Sequence, residues 1–158
     1  MSTVNMGAVA PLAGLFLAGA MMNIAILDVP VLLEANMRSS AVLVHWAKLY
    51  EHGARLYPFL SVTVGFLYLC GIVQGGNSKG SRILLFTAAA TTLSMIPWTL
   101  IQMTPTNNTL MQARDAVDRS MEMPWEEAES LIVHWQRLHF WRSLFPLVGS
   151  IIGILDVF

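Results

Sequence analysis

Apolar side chains form four long runs along the chain, separated by polar connections. The runs cover about residues 9–27, 57–73, 83–103 and 139–157. A helix of about 20 apolar residues crosses a bilayer, so each run is of membrane-spanning length. The pattern predicts an all-α protein, a four-helix transmembrane bundle that forms one domain over residues 1–158.

The connections between the runs are unequal in length. Residues 74–81 are rich in Gly, Asn and Ser and predict a short turn between antiparallel neighbours. The other two connections are long and lie on the opposite side of the membrane. From Pro124 to Asp156 the fourth helix would measure roughly 50 Å, against a hydrocarbon core of roughly 30 Å. We therefore expect long extramembrane extensions on helices 2 and 4.

A short sequence match links the starts of the second and fourth helices. Residues 44–50 resemble residues 133–139, with proline and basic residues following each, and Pro30 is echoed by Pro105. The match predicts that the bundle consists of two parallel helix-hairpin repeats. A pseudo-twofold axis along the membrane normal would relate them.

Composition supports a membrane location and excludes several other classes of protein. The chain is 55% hydrophobic and 12% charged, and its net charge of −1 gives no basis for nucleic-acid binding. Its single cysteine, Cys70, rules out a disulfide framework within one chain. We expect a multi-pass integral membrane protein of the endoplasmic reticulum or another endomembrane, with membrane lipid as a partner. Membrane orientation and homo-oligomerisation stay open.

Three residues that enter the fourth apolar run carry the most chemical information. Trp135, His139 and Arg142 fall within roughly 60° of one another on a helix. An ionisable side chain at membrane depth is energetically costly and indicates function by default. The alternative is that Arg142 extends its charge to the lipid headgroups, as long basic side chains do.

The matching stripe on the second helix consists of Trp46, Tyr50 and Gly53. If the two stripes face each other, they enclose a flat cavity with aromatic walls, one base and one cation. Trp46, Tyr50, Gly53 and Trp135 are therefore the candidate substrate-binding residues. The alternative is an ordinary interfacial aromatic belt.

A metal site is the main competing chemistry, since all four histidines are predicted on one side of the membrane. His45 and His52 are about 10 Å apart along one helix, and His134 and His139 point roughly 140° apart, so neither pair chelates one ion. Ligation across helices stays open, for instance haem between His45 and His134. If a metal or haem is present, His45, His52 and His134 are its candidate ligands.

Two motifs together resemble a known family. Pro105-Thr106-Asn107-Asn108-Thr109-Leu110 after the third run, and Trp135-x-x-x-His139-x-x-Arg142 before the fourth, are similar to the anthrone oxygenases. The resemblance implies oxidation of a polycyclic anthrone to an anthraquinone with dioxygen in polyketide biosynthesis, without an evident cofactor. The predicted site suits this reaction: His139 would be the base, and Arg142 and Asn107 would stabilise the enolate oxyanion.

Two other classes of function stay open at this point. One is a haem- or metal-dependent membrane redox protein, and the other is a non-enzymatic membrane scaffold or transporter subunit. The first predicts a coloured or metal-containing preparation, whereas a cofactor-independent oxygenase predicts a colourless, metal-free one.

Overall fold

The computed structural model describes residues 5–35, 37–75 and 78–156, and these residues form helices joined by short turns. The predicted all-α class is confirmed. The centre of the predicted 74–81 turn, residues 76–77, lies outside the described residues. The elements are α1 (Met6–Asn23), a π-helical segment (Ile24–Asp28), α2 (Val29–Glu34), α3 (Ser39–Gly75), α4 (Lys79–Leu93), α5 (Met95–Trp98), a second π-helical segment (Thr99–Met103), α6 (Thr104–Val117) and α7 (Trp125–Ile154).

These elements make four long segments, which we number in chain order. The first is Met6–Glu34, the second is α3, the third is Lys79–Val117 and the fourth is α7. The first and third segments each pack against the second and the fourth, so the four surround a common core. The first, second and third segments are long and apolar enough to cross a membrane, as their apolar runs predicted.

The two π-helical segments have a common cause in the sequence. Each is five residues long, and Pro30 and Pro105 follow them by two residues. A proline inside a helix clashes with the carbonyl four residues earlier, here that of Ile26 or Ile101. Both carbonyls belong to the π-helical segments, where the wider turn relieves the clash without ending the helix.

A glycine of α7 sets how closely the third and fourth segments approach, and a serine hydroxyl joins the two long connections. A Cβ atom on Gly149 would lie 2.8 Å from the main-chain oxygen of Ala88, so the fourth segment touches the backbone of the third. At the start of α3 the Ser39 hydroxyl donates to the Met123 carbonyl at 2.7 Å. The two long connections therefore meet at the same end.

Candidate active site

The stripe of α7 that the sequence singled out faces the core. Trp135 is 2% exposed, His139 is fully buried and Arg142 is 6% exposed. Spacings of four and three residues place the three side chains on one side of a helix with 3.6 residues per turn. A histidine and an arginine are thus buried within one turn of each other, which solvation alone strongly opposes.

His139 has one ring nitrogen engaged and one free. Its Nε2 lies 3.2 Å from the main-chain oxygen of Met21, in the first segment. A carbonyl oxygen only accepts hydrogen bonds, so Nε2 carries the proton in the neutral ring and Nδ1 carries the lone pair. Nδ1 is buried and has no partner among the described residues. The fold therefore presents a histidine whose basic nitrogen is unoccupied.

Arg142 is held by neutral groups. One guanidinium nitrogen donates to the Thr99 hydroxyl at 3.3 Å, and the guanidinium carbon lies 5.8 Å from the centre of the Tyr57 ring. Its Nε atom is buried without a partner, and within the described ranges no carboxylate pairs with it. A buried cation without a counterion favours a substrate that becomes negatively charged.

Aromatic rings connect the second and fourth segments beside this pair. Tyr50 stacks on Trp46 with ring centres 5.3 Å apart, and Trp135 stacks on His139 at 4.8 Å. The two stacks meet where Trp46 contacts Trp135 edge to face, at 5.7 Å. The structure thus brings the two predicted stripes together.

Gly53 makes room for a residue that the sequence analysis did not select. A Cβ on Gly53 would lie 3.0 Å from an edge carbon of Tyr57, so the expected gap is filled by the Tyr57 ring. Tyr57 is buried, contacts Arg142, and lies 6.1 Å from the His139 ring centre. It lies one helical turn beyond Gly53, so extending the stripe of Trp46, Tyr50 and Gly53 by one turn would have found it.

Asn107 is connected to the site through Trp135. Its side-chain oxygen accepts a hydrogen bond from Trp135 Nε1 at 2.9 Å, and the residue is only 4% exposed. This bond fixes the rotation of the indole that stacks on His139. The hydrogen bond of Arg142 goes instead to Thr99, so the two predicted oxyanion-binding residues have different partners.

Gln136 completes a hydrogen bond that the first segment cannot make by itself. The Val29 N–H bonds to the Ile24 oxygen, and the next donor in that π-helical register is absent because Pro30 has no N–H. Gln136 Nε2 donates to the Ala25 oxygen at 2.6 Å. Sequence reasoning missed both Gln136 and Thr99, because their partners depend on π-helical segments whose only signal is a following proline.

The other three histidines lie away from the buried pair. His45, His52 and His134 are exposed, and Nδ1 of His45 and of His52 each contacts the carbonyl four residues earlier at 2.8 Å. In the part of the chain that the structure describes, no three His, Cys, Asp or Glu side chains are grouped to hold a metal ion. His45, His52 and His134 therefore do not form a three-ligand group among the described residues, and haem held by two histidines stays a prediction.

Comparisons with known proteins identify a family for this chain. A family model described as anthrone oxygenase matches residues 46–152. The anthrone oxygenase tpcL of Aspergillus fumigatus is 37% identical over 99% of this chain and 95% of its own. The anthrone oxygenase AgnL2 of Paecilomyces divaricatus is also 37% identical, over 98% of this chain and 96% of its own.

A third relative has a more specific name. The noranthrone monooxygenase of Aspergillus flavus is 36% identical over 94% of this chain and 71% of its own. No solved structure matches the chain. The family match includes Trp46, Asn107, Trp135, His139 and Arg142, which the structure joins around one buried centre. The chain therefore belongs to the anthrone oxygenase family.

Proposed function

We propose that this protein is a membrane monooxygenase that oxidises a polycyclic anthrone-type phenolic to the anthraquinone with dioxygen, in polyketide secondary metabolism. The observation that carries the proposal is a buried pair, His139 and Arg142. Among the described residues, His139 Nδ1 has no partner and Arg142 has no carboxylate partner. The names of the relatives, anthrone oxygenase and noranthrone monooxygenase, point to the same substrate class.

The chemistry begins with removal of a proton from carbon. The methylene of an anthrone lies opposite a ketone, so its deprotonation gives an enolate whose charge rests on the ketone oxygen. His139 Nδ1 takes the proton, and the Arg142 guanidinium stabilises the oxyanion in a site that excludes water. Both groups are poised for the enolate rather than for the neutral ketone, as catalysis of this step requires.

The enolate then reacts with dioxygen at the former methylene carbon. Protonation by the His139 imidazolium gives a hydroperoxide, and loss of the remaining hydrogen on that carbon with cleavage of the O–O bond gives the quinone and water. Overall, CH2 and O2 become C=O and H2O, so one oxygen atom enters the product and the other leaves as water. Dioxygen is the co-substrate.

The aromatic residues bind the flat substrate and hold the base in place. Trp46, Tyr50 and Trp135 supply ring faces and edges, and Gly53 allows Tyr57 to pack beneath Arg142. Asn107 acts as a positioning residue, because its bond to Trp135 fixes the ring that stacks on His139.

We propose that the reaction needs no haem, metal or organic cofactor, since an electron-rich enolate reacts with dioxygen directly. An absorption spectrum and elemental analysis of the active, purified protein test this point. Haem or a stoichiometric transition metal, lost together with activity in His45→Ala or His134→Ala, would favour the metal-dependent alternative instead.

We also propose that the fourth segment spans the membrane, which gives a four-helix transmembrane bundle of two parallel repeats in the endoplasmic reticulum or another endomembrane. Two pairs of matching features support the repeats. The π-helical segments of the first and third segments precede Pro30 and Pro105 by the same distance. The stack of Trp46 on Tyr50 is matched by that of Trp135 on His139.

The proposed reaction is tested in two stages with proteoliposomes. In air, His139→Ala and Arg142→Ala are expected to lose anthrone oxidation above the spontaneous rate, whereas the exposed His134→Ala keeps it. Without oxygen, the parent protein is expected to exchange the substrate's methylene hydrogens for deuterium, and His139→Ala is not. Full oxidation by both alanine variants would overturn the proposal, and oxidation without exchange would overturn the role of the base.

A further inference from the structure

Tyr57 contacts both members of the buried pair. The guanidinium carbon of Arg142 lies over its ring, 5.8 Å from the ring centre. The His139 ring meets it edge to face, with ring centres 6.1 Å apart and 63° between the planes. Tyr57 is only 6% exposed. The proposed reaction uses both contacted groups, so the position of this ring affects the base and the cation together.

The Tyr57 side chain is fixed at both ends. A Cβ atom on Gly53 would lie 3.0 Å from a ring carbon, so the ring packs directly against the preceding turn of α3. At its far end the hydroxyl donates to the Ala20 oxygen at 3.4 Å, which is long for a hydrogen bond. The next carbonyl along the chain, that of Met21, is the one that His139 Nε2 contacts at 3.2 Å. Tyr57 and the base are thus anchored to adjacent peptide groups of the first segment.

The Tyr57 ring stabilises the Arg142 cation without neutralising it. A cation within about 6 Å of a ring centre is attracted by the negative face of the ring. A carboxylate in this place would bind the guanidinium, but it would also cancel the charge that the enolate needs and repel the oxyanion. Among the described residues no carboxylate pairs with Arg142, and its hydrogen bond goes to the neutral Thr99 hydroxyl. The contact with Tyr57 therefore holds the cation while its charge stays available to the substrate.

We infer that Tyr57 is a positioning residue of the reaction, whose ring face holds the Arg142 guanidinium beside His139 and leaves its charge free for the enolate oxygen. The inference rests on the proposed function and adds to it a residue that acts through Arg142 rather than on the substrate. The electron-rich ring carries this role, since the hydroxyl bond to Ala20 is too long to contribute much. Removal of the ring and removal of the hydroxyl therefore have different expected effects.

Two substitutions separate the ring from the hydroxyl. Tyr57→Phe keeps the ring and is expected to stay within about threefold of the parent kcat for anthrone oxidation. Tyr57→Leu removes the ring and is expected to lower kcat about tenfold to a hundredfold with KM within about threefold, because the oxyanion-stabilising group is no longer held. Phe59→Leu is the matched control on the same helix; Phe59 is 68% exposed, and the variant should stay within about twofold of the parent.

A series of fluorinated rings distinguishes attraction of the cation from filling of space. Phenylalanine with one, two or three ring fluorines, introduced in place of Tyr57, keeps nearly the same shape while each fluorine draws electron density from the ring face. We expect kcat to fall with each added fluorine. Exchange of the substrate's methylene hydrogens without oxygen should slow in parallel, because Arg142 stabilises the enolate formed in that step. The same rings in place of Phe59 should change neither rate, and the series remains informative if Tyr57→Leu does not fold.

A second substitution shows whether Tyr57 acts through Arg142. In an Arg142→Met background, phenylalanine and its trifluorinated form in place of Tyr57 are expected to give equal residual exchange rates, because no cation lies on the ring face. A fluorine effect of the same size with and without Arg142 would contradict the inference.

The outcomes separate this inference from the proposed function. If Arg142→Met loses activity but Tyr57→Leu keeps the parent kcat, the inference is overturned alone. The same holds if Tyr57→Phe is as slow as Tyr57→Leu, which would assign the role to the hydroxyl, or if the fluorine series is flat, which would leave only packing. If Arg142→Met itself keeps full oxidation, the proposed function falls as well.

Discussion

Replacing Arg142 by methionine should separate catalysis from stability, because catalysis is expected to fall while the free energy of unfolding stays the same or rises. Methionine is similar in length to arginine and carries no charge. The variant loses a 3.3 Å hydrogen bond to Thr99 and the contact with the Tyr57 ring. The Thr99 hydroxyl keeps its own donor bond to the Met95 oxygen at 2.7 Å, so its hydrogen is not left unpaired.

The estimated energies predict that the variant is at least as stable as the parent protein but catalyses the reaction more slowly. The lost hydrogen bond, which a charged group donates, contributes about 1.5–3 kcal/mol and the cation–π contact about 0.5–2 kcal/mol. Burying a cation without a counterion costs several kcal/mol, and the variant is relieved of that penalty. We therefore expect an unchanged or higher free energy of unfolding. Loss of an oxyanion-stabilising group should lower kcat by about 10²- to 10³-fold.

Two measurements on the same preparation check this prediction. The midpoint of unfolding in mild detergent reports stability, and the initial rate of anthrone consumption, less the spontaneous rate, reports catalysis. Arg55→Met is the matched control, since Arg55 is exposed and should change neither quantity. A strongly destabilised Arg142→Met protein, or one within about tenfold of parent activity, would refute the reasoning.

Three further predictions concern the groups that hold the site. Asn107→Leu leaves Trp135 Nε1 buried without an acceptor and should lower the free energy of unfolding by about 1–3 kcal/mol. In a Trp135→Phe background most of that cost should vanish, whereas additive losses from the two substitutions would exclude the hydrogen bond. Gln136→Leu leaves the Ala25 oxygen without its donor and should lower both the unfolding midpoint and kcat, whereas Gln112→Leu, at an exposed position, should change neither. Equal effects of the two substitutions would argue against a role of Gln136 in completing the hydrogen bonds of the first segment. Gly149→Ala places a Cβ 2.8 Å from the Ala88 oxygen and should lower the free energy of unfolding by about 1–3 kcal/mol, whereas Gly19→Ala, whose Cβ has nothing within 4 Å, should not. A Gly149→Ala protein as stable as the parent would show that the third and fourth segments can separate at this point.

The pattern of the chain was sufficient to predict the helices. The fourth helix was expected from Pro124 and begins at Trp125, with Pro124 as its N-cap and Glu126 in its first turn. The placement of His139 and Arg142 on one face followed from helical periodicity alone, whereas the burial of that face is a finding of the structure. Both results depend on interactions within one helix, which sequence spacing describes well.

The contacts between segments were only partly predictable. The sequence match placed Trp46 opposite Trp135, but it could not show that Tyr57 fills the space beside Gly53. A π-helical turn advances the backbone by one residue relative to an α-helix, so side-chain directions after it cannot be extrapolated. Thr99 and Ala25 both belong to such turns, and for this reason the partners of Arg142 and Gln136 were missed.

The base on α7 and its neighbour Gln136 both bond to main-chain atoms of the first segment. His139 bonds to the oxygen of Met21 and Gln136 to that of Ala25, and the same atoms remain whatever side chains occupy those two positions. Met21 and Ala25 can therefore change in size and shape without loss of the acceptors. Because both side chains are buried in the core, substitutions there test the packing of the first segment against α7 separately from these two hydrogen bonds.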